Sequence, residues 1–286
     1  MNGIVIVDKP AGWTSQDVTA RLRRVFGTRR IGHGGTLDPM ATGVLPVFVG
    51  RATRAVEFFE HARKGYEAVL RLGITTDTED ITGTVLETRE VSVSHQEFLD
   101  ILPKFRGKIQ QIPPMYSALK VDGRKLCDLA RAGKEVARQS REIEILELEC
   151  LEFSGDTARL SVLCSKGTYI RTLCRNIGEA LGCGGCMAAL RRTAAGAYTL
   201  ADAVPLQELL DTAEPEKYLR SVDSLFREHP AVTLTAKQEI RCRNGNAFSV
   251  KLPDGTFRVY SQNGEFLALS KVKGGVMSTI KSFFEV

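Results

Sequence analysis

Asp38 is the only carboxylate between Asp17 and Glu57, in a stretch that also carries Arg21, Arg23, Arg24, Arg29, Arg30, Arg51 and Arg54. It lies in His33-Gly34-Gly35-Thr36-Leu37-Asp38-Pro39-Met40-Ala41-Thr42-Gly43. A carboxylic acid with an ordinary pKa of about 3.9 is ionised at neutral pH and can serve as nucleophile, base or counter-charge. Glycines at 32, 34, 35 and 43 let the backbone turn sharply or approach a ligand, while Pro39 pushes Asp38 out of the helical region. A constrained loop therefore presents the acid. Asp before Pro in a Gly-rich stretch is also a common turn former, so residue types alone leave the functional and the turn reading open.

The elements that must hold this loop are legible on either side of it. Ile4 to Val7 and Val44 to Val49 are apolar runs that predict buried strands, and Thr14 or Ser15 can cap a helix with Val18, Leu22, Val25 and Phe26 on its apolar face. The opposite face of that helix is arginine. Tyr66, Ala68, Leu70 and Leu72 alternate with Glu67, Val69 and Arg71, the pattern of a half-buried strand. Asp77, Glu79 and Asp80 in the turn Thr75 to Gly83 lack calcium-loop spacing and read as a solvated hairpin. Ser94 and Glu97 form a capping box, and Gln110 to Lys125, with Pro113-Pro114 and Met115-Tyr116, reads as a long functional loop. A helix near Lys125 to Ala132 and strands near Glu142 to Cys150 and Thr157 to Ser165 follow. Tyr169, Leu173, Ile177 and Leu181 recur every four residues as a helix, with Arg171 and Arg175 off the stripe. Arg227 to Ala231 reads as a boundary. Beyond it Thr235 and Gln238 open a short helix, and strands near Phe257 to Tyr260 and Phe266 to Val272 flank the hairpin signal Gln262-Asn263-Gly264-Glu265. The fold class is α+β, with a small β-rich C-terminal module.

With 286 residues, 43% hydrophobic and 26% charged, the composition is that of a folded globular chain. Met1 to Asp8 has no basic start and meets an acid too early for a secretory signal, and no run approaches the ~20 apolar residues of a membrane span. This predicts a cytoplasmic protein without a membrane partner. Seven cysteines fit a reducing compartment, and Cys183-Gly184-Gly185-Cys186 lacks the second ligand pair that zinc requires, so no metal is expected. The net charge of +5 is uneven. Residues 1 to 64 hold ten Lys and Arg against five acids, and residues 232 to 286 hold eight against four. Two basic ends suit a polyanion that touches both.

The His33 to Leu45 segment resembles the catalytic motif of the bacterial tRNA pseudouridine synthases of the uridine-55 (TruB) family, in which the Asp of Leu-Asp-Pro is essential. The resemblance extends from Asp8-Lys9-Pro10-Ala11-Gly12-Trp13-Thr14-Ser15 to Leu190-Arg191-Arg192, with one visible departure, Gly34 where the family usually has Thr. It implies a pseudouridine synthase fold, with a mixed, mainly antiparallel sheet in residues 1–228, followed by a PUA-like RNA-binding domain in 232–286. It implies isomerisation of the T-loop uridine of tRNA by a monomer that needs no cofactor. Asp38, Tyr66 and Arg171 are the catalytic residues by this resemblance. Tyr66, in Lys-Gly-Tyr-Glu, receives the flipped base, and Arg171, in Lys-Gly-Thr-Tyr-Ile-Arg, pairs with Asp38. Substrate binding falls to His33, which fills or props the gap left by the base, to Lys9 beneath the aspartate loop, to Leu190 in the base pocket and to Tyr169. The alternatives are an RNA-guided pseudouridine synthase subunit and a non-catalytic tRNA-folding or RNA-binding protein.

Overall fold

The structure is a computed structural model that describes all residues except Asp122 and Val286. The chain forms two compact units, the first made of Met1–Pro39, Val44–Glu60 and the segment from Ala197 onward, the second of Met40–Gly43 and His61–Gly196.

The first unit opens with β1 (Gly3–Lys9), α1 (Ser15–Val25), β2 (Ile31–His33), β3 (Thr42–Val49) and the single turn α2 (Val56–Phe59). Ile4, Val5 and Val7 are fully buried, as are Val44, Leu45, Val47, Phe48 and Val49, which is why these strands read as continuous apolar runs. Thr14 caps α1 through a capping box with Asp17, and Val18 and Leu22 bury the helix against the unit. β2 pairs antiparallel with β3, placing His33 opposite Val47.

Gly34 shows why a side chain is absent there. A Cβ at this position would lie 2.6 Å from Cδ1 and 2.9 Å from Cε1 of Phe59, and 3.1 Å from Cε2 of Phe48. The Phe48 and Phe59 rings pack edge to face, with centroids 5.8 Å apart, so neither can easily yield. Gly34→Thr, the substitution toward the family's usual residue, is expected to cost about 1–3 kcal/mol by overpacking. That corresponds to a melting temperature lower by roughly 2–10 °C, and Phe59→Leu in the same chain should restore part of it. An unchanged thermal transition in Gly34→Thr rules this explanation out.

The second unit follows with β4 (Lys64–Leu72), β5 (Ile74–Thr76), β6 (Val85–Thr88), α3 (His95–Ile101), β7 (Gly107–Gln111), β8 (Lys120–Val121), β9 (Arg124–Lys125), α4 (Leu126–Arg131), β10 (Arg141–Phe153), β11 (Thr157–Cys164), α5 (Ile170–Ala180) and β12 (Gly185–Ala195). Its sheet runs β12-β4-β11-β10-β7 with every neighbour antiparallel. Thr42 and Gly43 add a parallel step beside Arg191 and Arg192. Gly43 has φ +100°, and a Cβ there would stand 2.2 Å from the Arg192 carbonyl oxygen, so only glycine fits. The buried face of β4, carrying Tyr66, Ala68, Leu70 and Leu72, belongs to the strand that α5 covers together with β12. The span Gln110 to Lys125 is only partly loop, since Gln110 and Gln111 end β7 and the β8–β9 hairpin closes its far end.

The remainder of the first unit comprises β13 (Tyr198–Thr199), β14 (Val204–Pro205), α6 (Leu206–Asp211), β15 (Ala231–Thr233), α7 (Ala236–Arg243), β16 (Phe248–Ser249), β17 (Gly255–Tyr260), β18 (Phe266–Lys273) and β19 (Val276–Ser282). β14 runs parallel to β1. The five-stranded C-terminal sheet has the order β15-β17-β18-β19-β16, with its own core around Val259, Leu267, Val272 and Met277. Phe226, in the segment leading into it, packs on Phe58, Phe266 and Phe283. Asp223 accepts from the Tyr260 hydroxyl at 2.6 Å, and Arg54 donates to Ser282 Oγ at 2.7 Å. The β-rich module is therefore packed on α2 and the turn before it in its own unit. The expected mixed, mainly antiparallel α+β architecture with a C-terminal β-rich part is borne out.

Candidate active site

The residues on either side of Asp38 are held by the segment between β1 and α1. Leu37 donates its N–H to Ser15 Oγ at 2.8 Å, and the same hydroxyl donates to the Leu37 carbonyl at 3.2 Å. On the other side of the acid, the Pro39 carbonyl accepts from the Gly12 N–H at 2.8 Å and from Lys9 Nζ at 3.3 Å. Lys9 is fully buried, and its ammonium also donates to the carbonyls of Pro10 at 2.8 Å and Trp13 at 2.6 Å. A buried ammonium needs such acceptors because its desolvation is otherwise uncompensated. Asp38 thus sits between two clamped neighbours, and the Thr14–Asp17 capping box fixes the helix end from which Ser15 reaches it. The carboxylate is half-buried.

Lys9, expected beneath the aspartate loop, is found there. His33, at the end of β2, lies in the same unit, with its Nε2 3.5 Å from Gln16 Nε2 on α1. Ser15 and Gly12 were not expected in this role. Ser15 read only as a possible helix cap, and its true partner is 22 residues away.

The other site residues are in the second unit. Tyr66 is buried on β4, opposite Val162 on β11 and Arg192 on β12, while Leu190 stands opposite Ala68. Cross-strand and alternate residues share a face, so Tyr66 and Leu190 are diagonal neighbours on the buried side of the sheet. Tyr169 precedes α5, and the Gln111 side chain brackets it: Oε1 accepts the Tyr169 N–H at 2.8 Å and Nε2 donates to its carbonyl at 3.1 Å. This amide replaces the side-chain cap that α5 lacks.

Arg171 is 5% exposed, not on a solvated helix face. Its Nη1 donates to the Thr78 carbonyl at 3.0 Å and lies 3.7 Å from Asp80 Oδ2, and its Nη2 donates to the Tyr116 carbonyl at 2.8 Å. The expectation of a solvated hairpin at 75–83 is corrected here. The β5–β6 hairpin exists, but Glu79 and Asp80 are each only 5% exposed. Glu79 accepts from Thr172 Oγ1 and from Arg175 Nη1, while Asp80 Oδ1 takes the Thr82 N–H and the Thr78 and Thr82 hydroxyls. The acids are buried because α5 supplies their partners. Glu79 has φ 63°, a strained conformation for a non-glycine residue, which these contacts hold in place. Burial pushes its carboxyl up, with the Arg175 guanidinium the largest opposing influence.

The buried thiols of Cys174 and Cys186 are poor nucleophiles. Burial pushes the Cys186 thiol up to about 11 and Cys174 higher still, so both are protonated at neutral pH. Among the described residues no group of His, Cys, Asp and Glu side chains is arranged to hold a metal, and no helix is long and apolar enough to cross a membrane.

Residues 23–170 match the family model for the N-terminal domain of the TruB family pseudouridylate synthases, and residues 171–224 match that of the tRNA pseudouridylate synthase B C-terminal domain. An aspartate held on a clamped loop, within matches of this length, defines the class: the chain belongs to the TruB family of pseudouridylate synthases. The curated relatives narrow this further. "tRNA pseudouridine synthase B" of Pseudomonas fluorescens (strain Pf-5) is 45% identical over 282 residues, covering 95% of this chain and 92% of that one. The protein of the same name in Dechloromonas aromatica is 47% identical over 267 residues, covering 92% and 89%. The chain is accordingly a tRNA pseudouridine synthase, an RNA-modifying isomerase. Among solved structures, a chain of the Cbf5-Nop10-Gar1 complex superimposes with a TM-score of 0.73 at 27% identity, covering 99% of this chain and 85% of that one. A chain of an H/ACA RNP bound to a substrate RNA containing 2'-deoxyuridine gives 0.72 at 24% identity with the same coverages, a likeness of fold.

Proposed function

We propose that this enzyme isomerises the uridine at position 55, in the T-loop of tRNA, to pseudouridine, with Asp38 as the essential group. The observation that carries the reading is the clamp on Leu37 and Pro39, which fixes the backbone on both sides of Asp38. Position is what a carboxylate acting on a sugar or base carbon requires, because reacting atoms must be held close to contact distance. In the reaction the C1′–N1 bond breaks, the uracil turns, and a C1′–C5 bond forms. The proton on C5 leaves to solvent and N1 gains one, so no redox partner is needed. In this reading Arg171 has the role of keeping Asp38 ionised, and Tyr66 receives the base after it leaves the stack, a step that costs on the order of a few kcal/mol. Leu190 and Tyr169 line the base pocket, and His33 occupies the space the base vacates. Residues 232–286 act as a PUA-like RNA-binding domain appended to a catalytic domain of residues 1–228, and the enzyme works as a cytoplasmic monomer on the T-stem-loop.

Purified protein is expected to release tritium from 5-tritiated uridine in an unmodified tRNA transcript, without guide RNA, nucleotide or added metal. A transcript with cytidine at position 55 should release none. Binding without release overturns the catalytic reading, release only after a guide RNA is added favours the RNA-guided alternative, and undiminished release from the cytidine transcript overturns the choice of position.

A further inference from the structure

Five arginines are exposed on α1 and on the turn that joins it to β2 and the Asp38 loop. Arg21, Arg23 and Arg24 lie on α1, Arg29 and Arg30 in the turn that follows, and all five are exposed. Among the described residues no carboxylate forms an ion pair with any of them. The one acid on α1, Asp17, is committed to the helix cap, its Oδ2 accepting from the Thr14 N–H at 2.9 Å and the Thr14 hydroxyl at 2.6 Å. Arg21 lies over the Trp13 ring, 5.9 Å from its centroid. Gly27, with φ +57°, reverses the chain, and the Thr28 N–H donates to the Arg23 carbonyl at 3.1 Å, so Arg29 and Arg30 extend from an ordered turn.

Both ends of this segment lead to the same loop. Ser15, at the start of α1, holds Leu37, and Gln16 meets His33, which β2 reaches three residues after Arg30. An uncompensated arginine cluster beside a loop that presents one nucleotide's catalytic acid is complementary to the chain of phosphates flanking that nucleotide. Arginine suits this better than lysine, since its planar fork meets phosphate oxygens in pairs and it is more weakly hydrated. A complement to the helix dipole accounts for Arg23 and Arg24 in the last turn, but not for Arg21, Arg29 or Arg30. An anionic membrane is the poorer partner, because Val18 and Leu22, the apolar residues that insertion would need, are fully buried in the protein.

We propose that the arginine face of α1 and the turn after it, Arg21, Arg24, Arg29 and Arg30 foremost, binds the phosphate backbone of the substrate RNA beside its target nucleotide. This rests on the tRNA reading above. The test measures the dissociation constant of an unmodified tRNA transcript between about 50 and 200 mM salt, for wild type, for Arg21→Gln/Arg24→Gln/Arg29→Gln/Arg30→Gln, and for the corresponding four-lysine variant. Each lost phosphate contact removes about 0.7–0.9 from the logarithmic salt slope. The glutamine variant should therefore have a slope shallower by about two or more and bind at least about tenfold more weakly at low salt. The lysine variant, which keeps the charge, should retain most of the slope and controls for any damage to the helix. An unchanged slope in the glutamine variant overturns the inference, as does equal loss in the lysine variant. Arginine-dependent capture by phosphatidylserine vesicles with an unchanged tRNA slope overturns it in favour of a membrane. Tritium release by the wild type from the same transcript separates this failure from failure of the tRNA reading itself.

Discussion

Asp38→Asn is expected to remove turnover, by at least about 10³-fold, while tRNA affinity stays within roughly tenfold of wild type. Asparagine is nearly isosteric but cannot carry the negative charge that a nucleophile, a base or a counter-charge to a sugar cation requires. Its place in the loop is kept, because the bonds on either side run from Ser15, Gly12 and Lys9 to the backbone of Leu37 and Pro39 and do not involve the side chain at 38. Affinity is expected to persist for a different reason, since most binding energy for a nucleic acid comes from phosphate contacts spread over the surface. Single-turnover tritium release and filter binding on the same transcript separate the two quantities. Substantial product from Asp38→Asn ends the assignment of this carboxylate. Lost binding in step with lost turnover shows instead that Asp38 holds the substrate.

The acid was legible because its signal is local. A single carboxylate among arginines, bounded by glycines and a proline, can be read without knowing the fold. The same holds for the Ser94 and Thr235 capping boxes, the strand alternation of Tyr66 to Leu72 and the hairpin turn before Glu265, all of which depend on residues within a few positions of one another. What the sequence concealed is carried by pairs far apart in the chain. Gln111 brackets Tyr169 from 58 residues away, and Glu79 meets Thr172 from 93. A single polar residue in a turn carries no mark of a distant partner, so Glu79 and Asp80 read as solvated although both are buried against α5. One clue was present: Arg171 and Arg175, off the apolar stripe of α5, are the cations that two buried acids needed. The tight fit of Gly34 against Phe59 was hidden for the same reason, since 25 residues separate a glycine read as loop freedom from the ring that denies it a side chain.

Replacing Arg171 is expected to damage both the fold and the chemistry, and the two can be told apart. The guanidinium is one of the most enclosed charges in its unit, its side chain 6% exposed beside an Asp80 side chain that is 7% exposed, and it satisfies the Thr78 and Tyr116 carbonyls. Arg171→Met leaves a buried acid without its cation and two carbonyls without this donor, a loss of about 3–5 kcal/mol. Arg171→Lys keeps the charge but not the planar fork, so it should lose less stability and less activity, giving the order Arg, Lys, Met. If Arg171 also keeps Asp38 ionised, its removal raises that carboxyl's pKa, and because the ionised form is the active one, the acidic limb of the single-turnover pH–rate profile moves to higher pH. Raising the pH should restore ionisation but not aim, so the plateau of Arg171→Met stays below wild type. The profile is measured well below the variant's melting temperature, where the folded fraction is constant. A lowered melting temperature with an unmoved limb and a wild-type plateau makes Arg171 a structural anchor for the β5–β6 hairpin alone. A moved limb with a lowered plateau is the result that pairs it with Asp38.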